Sequence, residues 1–327
     1  MLLNRNFRFF LLATCLVISS CAQHQLTGNA SGMASEDIKT NASESFKNGD
    51  YTKASGLYEK LAEKEPSNND YLFYYAESLR LSGLASKAHI QYDKLIKQDK
   101  DNLAAIEGKG LVYLQDADFI NALEQFNIVI TKDVSRWRTI NAIGVIHSIN
   151  GRDEEAISYY NMAMELSKDN PSIINNIALS IALGGKHEKG AALLRKAISS
   201  LSDSDARKKR LENNLALIYG ISGKMDEAEA ILRKNLPEPA VYNNLGFYAK
   251  IASDKKLAWS YLSKAISSSP VYYEKAENNI KELEIAGSSG DAAKTVLTED
   301  THPSSSQTEP QKARRGTHKL PLPSFRP

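Results

Sequence analysis

Asparagine is the residue type whose spacing in this 327-residue chain points most directly to chemistry. Asn175-Asn176, Asn213-Asn214 and Asn243-Asn244 stand just before Ile177-Ala178, Leu215-Ala216 and Leu245-Gly246, and Asn141 holds the first of the two places in an earlier copy of the stretch. A side-chain amide accepts from a backbone N–H and donates to a backbone C=O, so a row of amides, one per copy, suits an extended peptide held by its main chain. At most one member of each adjacent pair can point squarely into such a groove. Asparagines also cap helices or bridge neighbouring ones, and the spacing leaves both readings open. Arg138 and Arg210 stand near the row, where a guanidinium would receive a carboxylate.

Other chemistries find no support. The histidines, His24, His89, His147, His187, His302 and His318, form no pair at metal-ligand spacing on one helix face. There is no glycine-rich phosphate loop and no Gly-x-Ser-x-Gly nucleophile turn. Glu154-Glu155 and Asp226-Glu227 fall at predicted helix starts, where carboxylates complement the helix dipole. No catalytic residue, metal site or cofactor is expected, and the chain reads as a non-enzyme. With 41 basic against 39 acidic residues, nucleic acid is not an expected partner.

The elements that must carry the asparagines follow from a period. Ala54, Ala88, Ala122, Ala156 and Gly190 are 34 residues apart, and Ala42, Ala76, Gly110, Gly144 and Ala178 run twelve residues ahead of them. Tyr58, Tyr92, Phe126, Tyr160 and Leu194 follow the first column by four. Small residues at two fixed places suit the crossing of two helices, because a larger side chain would push the axes beyond about 8–10 Å. A bulky residue one turn later fills the gap on the same face. Turn signals lie between the helices: Asn48-Gly49-Asp50, Ser82-Gly83, Asn150-Gly151, Gly184-Gly185 and Ser222-Gly223. Asp116-Ala117 lacks the glycine, so the turn of repeat three is expected to differ. The small-residue columns continue at Ala216/Ala228 and Gly246/Ala258 after intervals of 38 and 30, with four residues gained near 199–205 and four lost near 236–239.

The pattern resembles the tetratricopeptide-repeat family over roughly residues 35–285. It departs from that pattern in lacking the bulky first-helix tryptophan in most repeats and in the weak turn of repeat three; Trp137 lies three residues too early for that site. The expectation is an all-α solenoid, a right-handed superhelix of about seven helix-turn-helix repeats over 35–271 (starting at 35, 69, 103, 137, 171, 209 and 239), with a capping helix at 272–285. By the resemblance, first helices line the inner face, placing Asn141, Asn175, Asn176, Asn213, Asn214, Asn243 and Asn244 in a peptide groove with Arg138 and Arg210. Tyr71, Phe73, Tyr74 and Tyr75 make repeat two unusually aromatic. Tyr75 reads as core, and Phe73 and Tyr74 as candidates to face the groove.

The start of the chain reads as a secretory signal over 1–20. Arg5 and Arg8 precede an apolar run, Phe9 to Ile18, too short to span a bilayer. Ile18-Ser19-Ser20-Cys21 resembles a bacterial lipobox, which implies lipidation of Cys21; cleavage near Ala22 of a plain signal peptide is the alternative. A chain beginning at Cys21 has one cysteine and no internal disulfide. Residues 21–34 read as lipid anchor and flexible tether. Ala22, where aspartate commonly retains such lipoproteins at the inner membrane, implies by resemblance the periplasm-facing outer membrane. Residues 286–327, rich in serine and proline and basic at the end, read as a disordered basic tail, with an arm for an acidic partner, peptidoglycan or a lipid head group as the alternative.

The stretch from Asn213 to Arg233, Leu236-Pro237 and Asn243-Asn244-Leu245-Gly246 resembles the TadD family of tight-adherence (Tad/Flp) pilus-assembly lipoproteins. That resemblance implies a scaffold that binds protein partners, a secretin or other pilus-assembly components, and supports assembly of a pilus or related secretion apparatus. The alternative is an adaptor lipoprotein that recruits substrates to an envelope protease or peptidoglycan enzyme.

Overall fold

The computed structural model describes residues 35–203 and 205–284. The expected signal segment, Cys21 with its tether, and the tail from 286 lie outside the described residues. Two compact units divide after Ile280, and the second, Lys281–Pro327, is described only over 281–284, which are helical.

The first unit is an all-α solenoid of helix pairs. The pairs are α1 (Ser35–Lys47) with α2 (Tyr51–Lys64), α3 (Asn69–Leu81) with α4 (Ala85–Gln98), α5 (Leu103–Gln115) with α6 (Phe119–Lys132), and α7 (Trp137–Ile149) with α8 (Asp153–Leu166). They continue as α9 (Pro171–Leu183) with α10 (His187–Ser199), α11 (Ala206–Ile221) with α12 (Met225–Asn235), and α13 (Glu238–Ile251) with α14 (Lys255–Ser267). A last helix, α15, runs over 274–284, so Tyr272 precedes it and is 68% exposed, while Ala276 is fully buried.

The small-residue columns sit where the helices of a pair cross. A Cβ on Gly144 would lie 2.6 Å from the Tyr160 ring, and one on Gly110 the same distance from the Phe126 ring. Both rings are 0% exposed, as are Ala54, Ala88, Ala122 and Ala156. In repeats three and four the crossing therefore closes through a first-helix glycine under a second-helix ring, and in repeat seven Gly246 lies under Leu262 instead.

The turns hold one correction. Gly83 closes the α3–α4 turn at φ 84°, with Gly83 N–H donating to the Arg80 carbonyl and Leu84 N–H to that of Leu79. The turn of repeat three does not differ. Ala117 adopts φ 60°, and its N–H and that of Asp118 donate to the carbonyls of Leu114 and Tyr113. Alanine takes the left-handed position at a steric cost, because the flanking helices dictate it.

The changes of period are absorbed by helix lengths. α11 has 16 residues where α3, α5, α7 and α9 have 13, and six residues (200–205) link it to α10 instead of the usual four. Repeat six thus begins at Ala206 rather than 209. α12 then shortens to 11 residues, and only Leu236-Pro237 precede α13.

The buried apolar residues fall into two clusters. One runs from Ile38 to Val112 and the other from Leu111 to Tyr248. Both draw on α5.

Candidate binding groove

Five first helices line one groove of about 150 Å³. Arg80 and Leu81 come from the end of α3 and Leu111 from α5; Trp137, Arg138 and Asn141 lie on α7, Ser172, Asn175 and Asn176 on α9, and Arg210 on α11. Helix starts explain this placement. α9 begins at Pro171, with the Asn170 side chain accepting from the Ser172 N–H at 3.0 Å, so its first turns present Ser172, Asn175 and Asn176 together. Trp137 is the first residue of α7; half-buried, it lines the groove and also packs against the core.

The structure thus brings Arg138, Asn141, Asn175, Asn176 and Arg210 to one groove. Asn213, Asn214, Asn243 and Asn244 do not line it. The asparagines bond to one another across repeats. Asn214 Nδ2 donates to Asn175 Oδ1 at 2.7 Å, Asn175 Nδ2 to Asn176 Oδ1 at 3.4 Å, and Asn176 Nδ2 to Asn141 Oδ1 at 3.0 Å. These four residues are 3–8% exposed. Asn243 Oδ1 accepts from Asn279 Nδ2 of α15 at 3.1 Å. The equivalent link between repeats six and seven, Asn244 to Asn213, is not made, and Asn213 Oδ1 is buried without a hydrogen-bond partner. The amides therefore bridge neighbouring first helices, while Asn141, Asn175 and Asn176 also edge the groove.

Arg138 is less open than the spacing suggested. Its guanidinium lies 3.5 Å from Glu77 Oε2 and 3.5 Å from Glu107 Oε1, with its side chain 40% exposed. Glu77 is itself paired with Arg80 through Nε at 3.2 Å and Nη2 at 2.9 Å, and accepts from the Tyr92 phenol. Burial pushes the Glu77 carboxyl up, but Arg80, with help from Arg138 and Tyr92, overrides it and holds the group below the usual carboxylate range. Thr139 Oγ1 donates to Glu107 Oε2 at 2.7 Å. Three repeats are thereby tied by buried charge. Sequence reasoning missed Glu77, Arg80 and Glu107, although Glu107 stands three residues before Gly110, the same column place as Asn141 and Asn175.

His147 is the other unforeseen group. It is 6% exposed, with both ring nitrogens lacking a hydrogen-bond partner and its ring 4.9 Å from that of Tyr159. Burial, with Arg152 adding and Glu155 opposing, lowers its pKa to about 4. Among the described residues no group of His, Cys, Asp or Glu could hold a metal ion, and no helix is long and apolar enough to cross a membrane.

Sequence profiles described as Tetratricopeptide repeat match residues 40–105 and 138–170. The Photosystem I assembly protein Ycf3 of Rippkaea orientalis (strain PCC 8801 / RF-1) is 31% identical over 98 residues, which is 27% of this chain. The chain spans 57% of that relative's length. A tetratricopeptide repeat protein from Parabacteroides merdae ATCC 43184 superposes with TM-score 0.51 at 18% identity, over 77% of this chain and 100% of its own. PilW, described as a widely conserved type IV pilus biogenesis factor, superposes with TM-score 0.50 at 15% identity, over 64% of this chain and 97% of its own. The fold is the tetratricopeptide solenoid.

Proposed function

We propose that this chain is a lipid-anchored, periplasm-facing scaffold of the outer membrane. It binds protein partners along its first helices and supports assembly of a Tad/Flp-type pilus or a related secretion apparatus. The observation that carries the binding role is the groove in which Arg138 and Arg210 meet Asn141, Asn175 and Asn176. Guanidinium groups and amides converging there suit the carboxylates and main chain of an extended protein segment. Binding rather than catalysis accords with the residue types of this groove.

The pilus assignment draws its support from the stretch over 213–246 and its resemblance to the TadD family. PilW supports the fold and nothing finer at 15% identity. The anchor rests on Ile18-Ser19-Ser20-Cys21. A photo-crosslinking residue in place of Ser172 tests the partner in cells. Capture of a secretin or another pilus component is the expected result. Capture of a periplasmic protease or peptidoglycan enzyme instead, or a deletion strain with intact pili and secretion, overturns the assignment. Cys21→Ser is expected to move the protein from the membrane to the soluble fraction, and continued retention sinks the anchor.

A further inference from the structure

Tyr74, expected at the groove, lines a different depression, of about 440 Å³, between α1 and α3. The two share no lining residue. Helix geometry sets its walls. Lys39, Ser43, Phe46 and Lys47 recur along one face of α1, and Tyr71 and Asp70 stand three and four residues before Tyr74 on α3. Tyr58 reaches it from α2 and is 5% exposed.

The rings hold one another in place. Tyr74 stacks on Tyr58 with ring centroids 5.2 Å apart and meets the Phe46 ring edge-on at 5.3 Å. Yet it remains 40% exposed. The result is a fixed aromatic wall with part of its face open.

The hydroxyls and charges decide what such a wall can recognise. Burial first, then the phenols of Tyr74 and Tyr71, push the Tyr58 pKa up, so the three hydroxyls lie near one another. None of them is hydrogen-bonded among the described residues, whereas the Tyr75 and Tyr92 phenols donate to Glu59 and Glu77. Lys39 is already paired with Glu36 at 3.8 Å, which leaves Lys47 against Asp70. The depression therefore offers ring faces and unengaged O–H donors with little net charge.

A proline-rich segment meets those terms. Polyproline II has no internal hydrogen bonds, so its carbonyls are free to accept, and proline has no N–H to satisfy. Aromatic-lined grooves take such segments at low entropic cost because the helix is preformed. An ordinary segment brings an N–H with every carbonyl. A glycan likewise brings hydroxyl donors, and Asp70 is the one carboxylate among the lining residues.

We propose that this depression docks a proline-rich segment of a partner protein in the polyproline II conformation. Pyrrolidine rings pack on Tyr74 and Phe46, and main-chain carbonyls accept from the phenols of Tyr71 and Tyr74. This goes beyond the groove reading and stands without it.

Fluorescein-labelled polyproline of about eight residues tests it by polarisation with the purified full chain. Glycine-serine peptides of the same length, with and without phenylalanines, and an unlabelled N-acetylglucosamine oligomer serve as comparisons. Polyproline is expected to bind at least about tenfold more tightly than either glycine-serine peptide. Tyr71→Phe and Tyr74→Phe keep the rings and remove a hydroxyl donor. Each is expected to weaken polyproline binding about three- to tenfold, with unchanged thermal melts, and Tyr74→Ala to weaken it further. Parent-like binding by both phenylalanine variants overturns the inference. So does equal binding of the phenylalanine peptide, which would mean that any ring is accepted. Displacement by the N-acetylglucosamine oligomer overturns it in favour of a glycan, and a dimer in sedimentation that Tyr74→Ala dissolves does so in favour of a second copy. No polyproline binding up to about 1 mM overturns it as well.

Discussion

Each asparagine amide has two donors and several acceptor sites, and the chain from Asn214 through Asn175 and Asn176 to Asn141 engages only some of them. Bridging helices and offering groups to a ligand are therefore compatible at Asn175 and Asn176. The two roles separate by substitution. Asn214→Ala removes the 2.7 Å donor to buried Asn175 and is expected to cost about 1–2 kcal/mol in urea unfolding. Asn244→Ala, which takes part in none of these bonds, is expected to stay within about 0.5 kcal/mol of the parent; equal losses would refute the bonding scheme. The asparagine column was legible in the sequence because it recurs with the repeat. Which amide meets which was not, because that depends on how far one first helix slides past the next. Glu107 shows the same limit: it shares the column, but nothing in the sequence places Arg138 and Thr139 against it. His147 was legible only as a histidine; its column holds Leu79, Tyr113, Ile181 and Tyr219, which are uncharged. The folded-state pKa of about 4 lies below the ordinary imidazole value of 6.5, so the unfolded chain binds more protons between those values and stability falls as pH drops through that window. The loss from His147 amounts to about 2–3 kcal/mol between about pH 7.5 and pH 4.5. His147→Tyr is expected to be less sensitive to pH by about that amount, read as the shift of its urea midpoint against the parent's. Parallel curves for the two proteins would contradict it.

At the scale of the element, helix ends carry information that the small-residue columns do not. Asn68, Asn102 and Asn170 cap the first helices α3, α5 and α9, and Asp50, Asp118 and Asp254 cap the second helices α2, α6 and α14, each by accepting from a backbone N–H two or three residues on. These residue types are the expected caps, so boundaries were recoverable wherever a cap preceded a helix. The insertion near 199–205 was visible as a change of interval; its division between a longer α11 and a longer link was marked only by the cap Asp205, which accepts from the Arg207 N–H, and not by the spacing. An extra turn of helix and an extra loop produce the same spacing. The turn of repeat three failed for another reason. Local propensity argues against a left-handed alanine, yet α5 and α6 impose the geometry that glycine gives the neighbouring repeats. Ala117 at φ 60° therefore carries a strain of about 1–2 kcal/mol. Glycine there relieves it but gains about 0.4–1 kcal/mol of unfolded-state entropy. Ala117→Gly is expected to raise stability by about 0.5–1 kcal/mol, seen as a higher urea midpoint. No gain would mean the left-handed residue is unstrained in this turn.

For the whole first unit, the 34-residue period decided the architecture, because each helix pair buries its apolar face only against its neighbours. The period does not reveal how the repeats share their stability. The structure divides the core into Ile38–Val112 and Leu111–Tyr248, two clusters that meet in α5. Across this division runs the charged network, with Glu77 and Glu107 both facing Arg138. Apolar packing within each part is thus joined at the groove by ion pairs and hydrogen bonds. Such a solenoid need not unfold as one body, since stability is a sum of repeat and interface terms. Tyr92 is the place to probe this. It is 0% exposed, fills the space over Gly108 and donates to Glu77. Tyr92→Ala is expected to cost the first three repeats about 3–5 kcal/mol through the cavity and the lost hydrogen bond. Amide hydrogen exchange in α1–α5 should then accelerate while protection in α9–α14 stays as in the parent. If exchange accelerates equally in α9–α14, the two clusters act as one cooperative unit, and the network through Arg138 couples the groove more tightly than apolar packing alone requires.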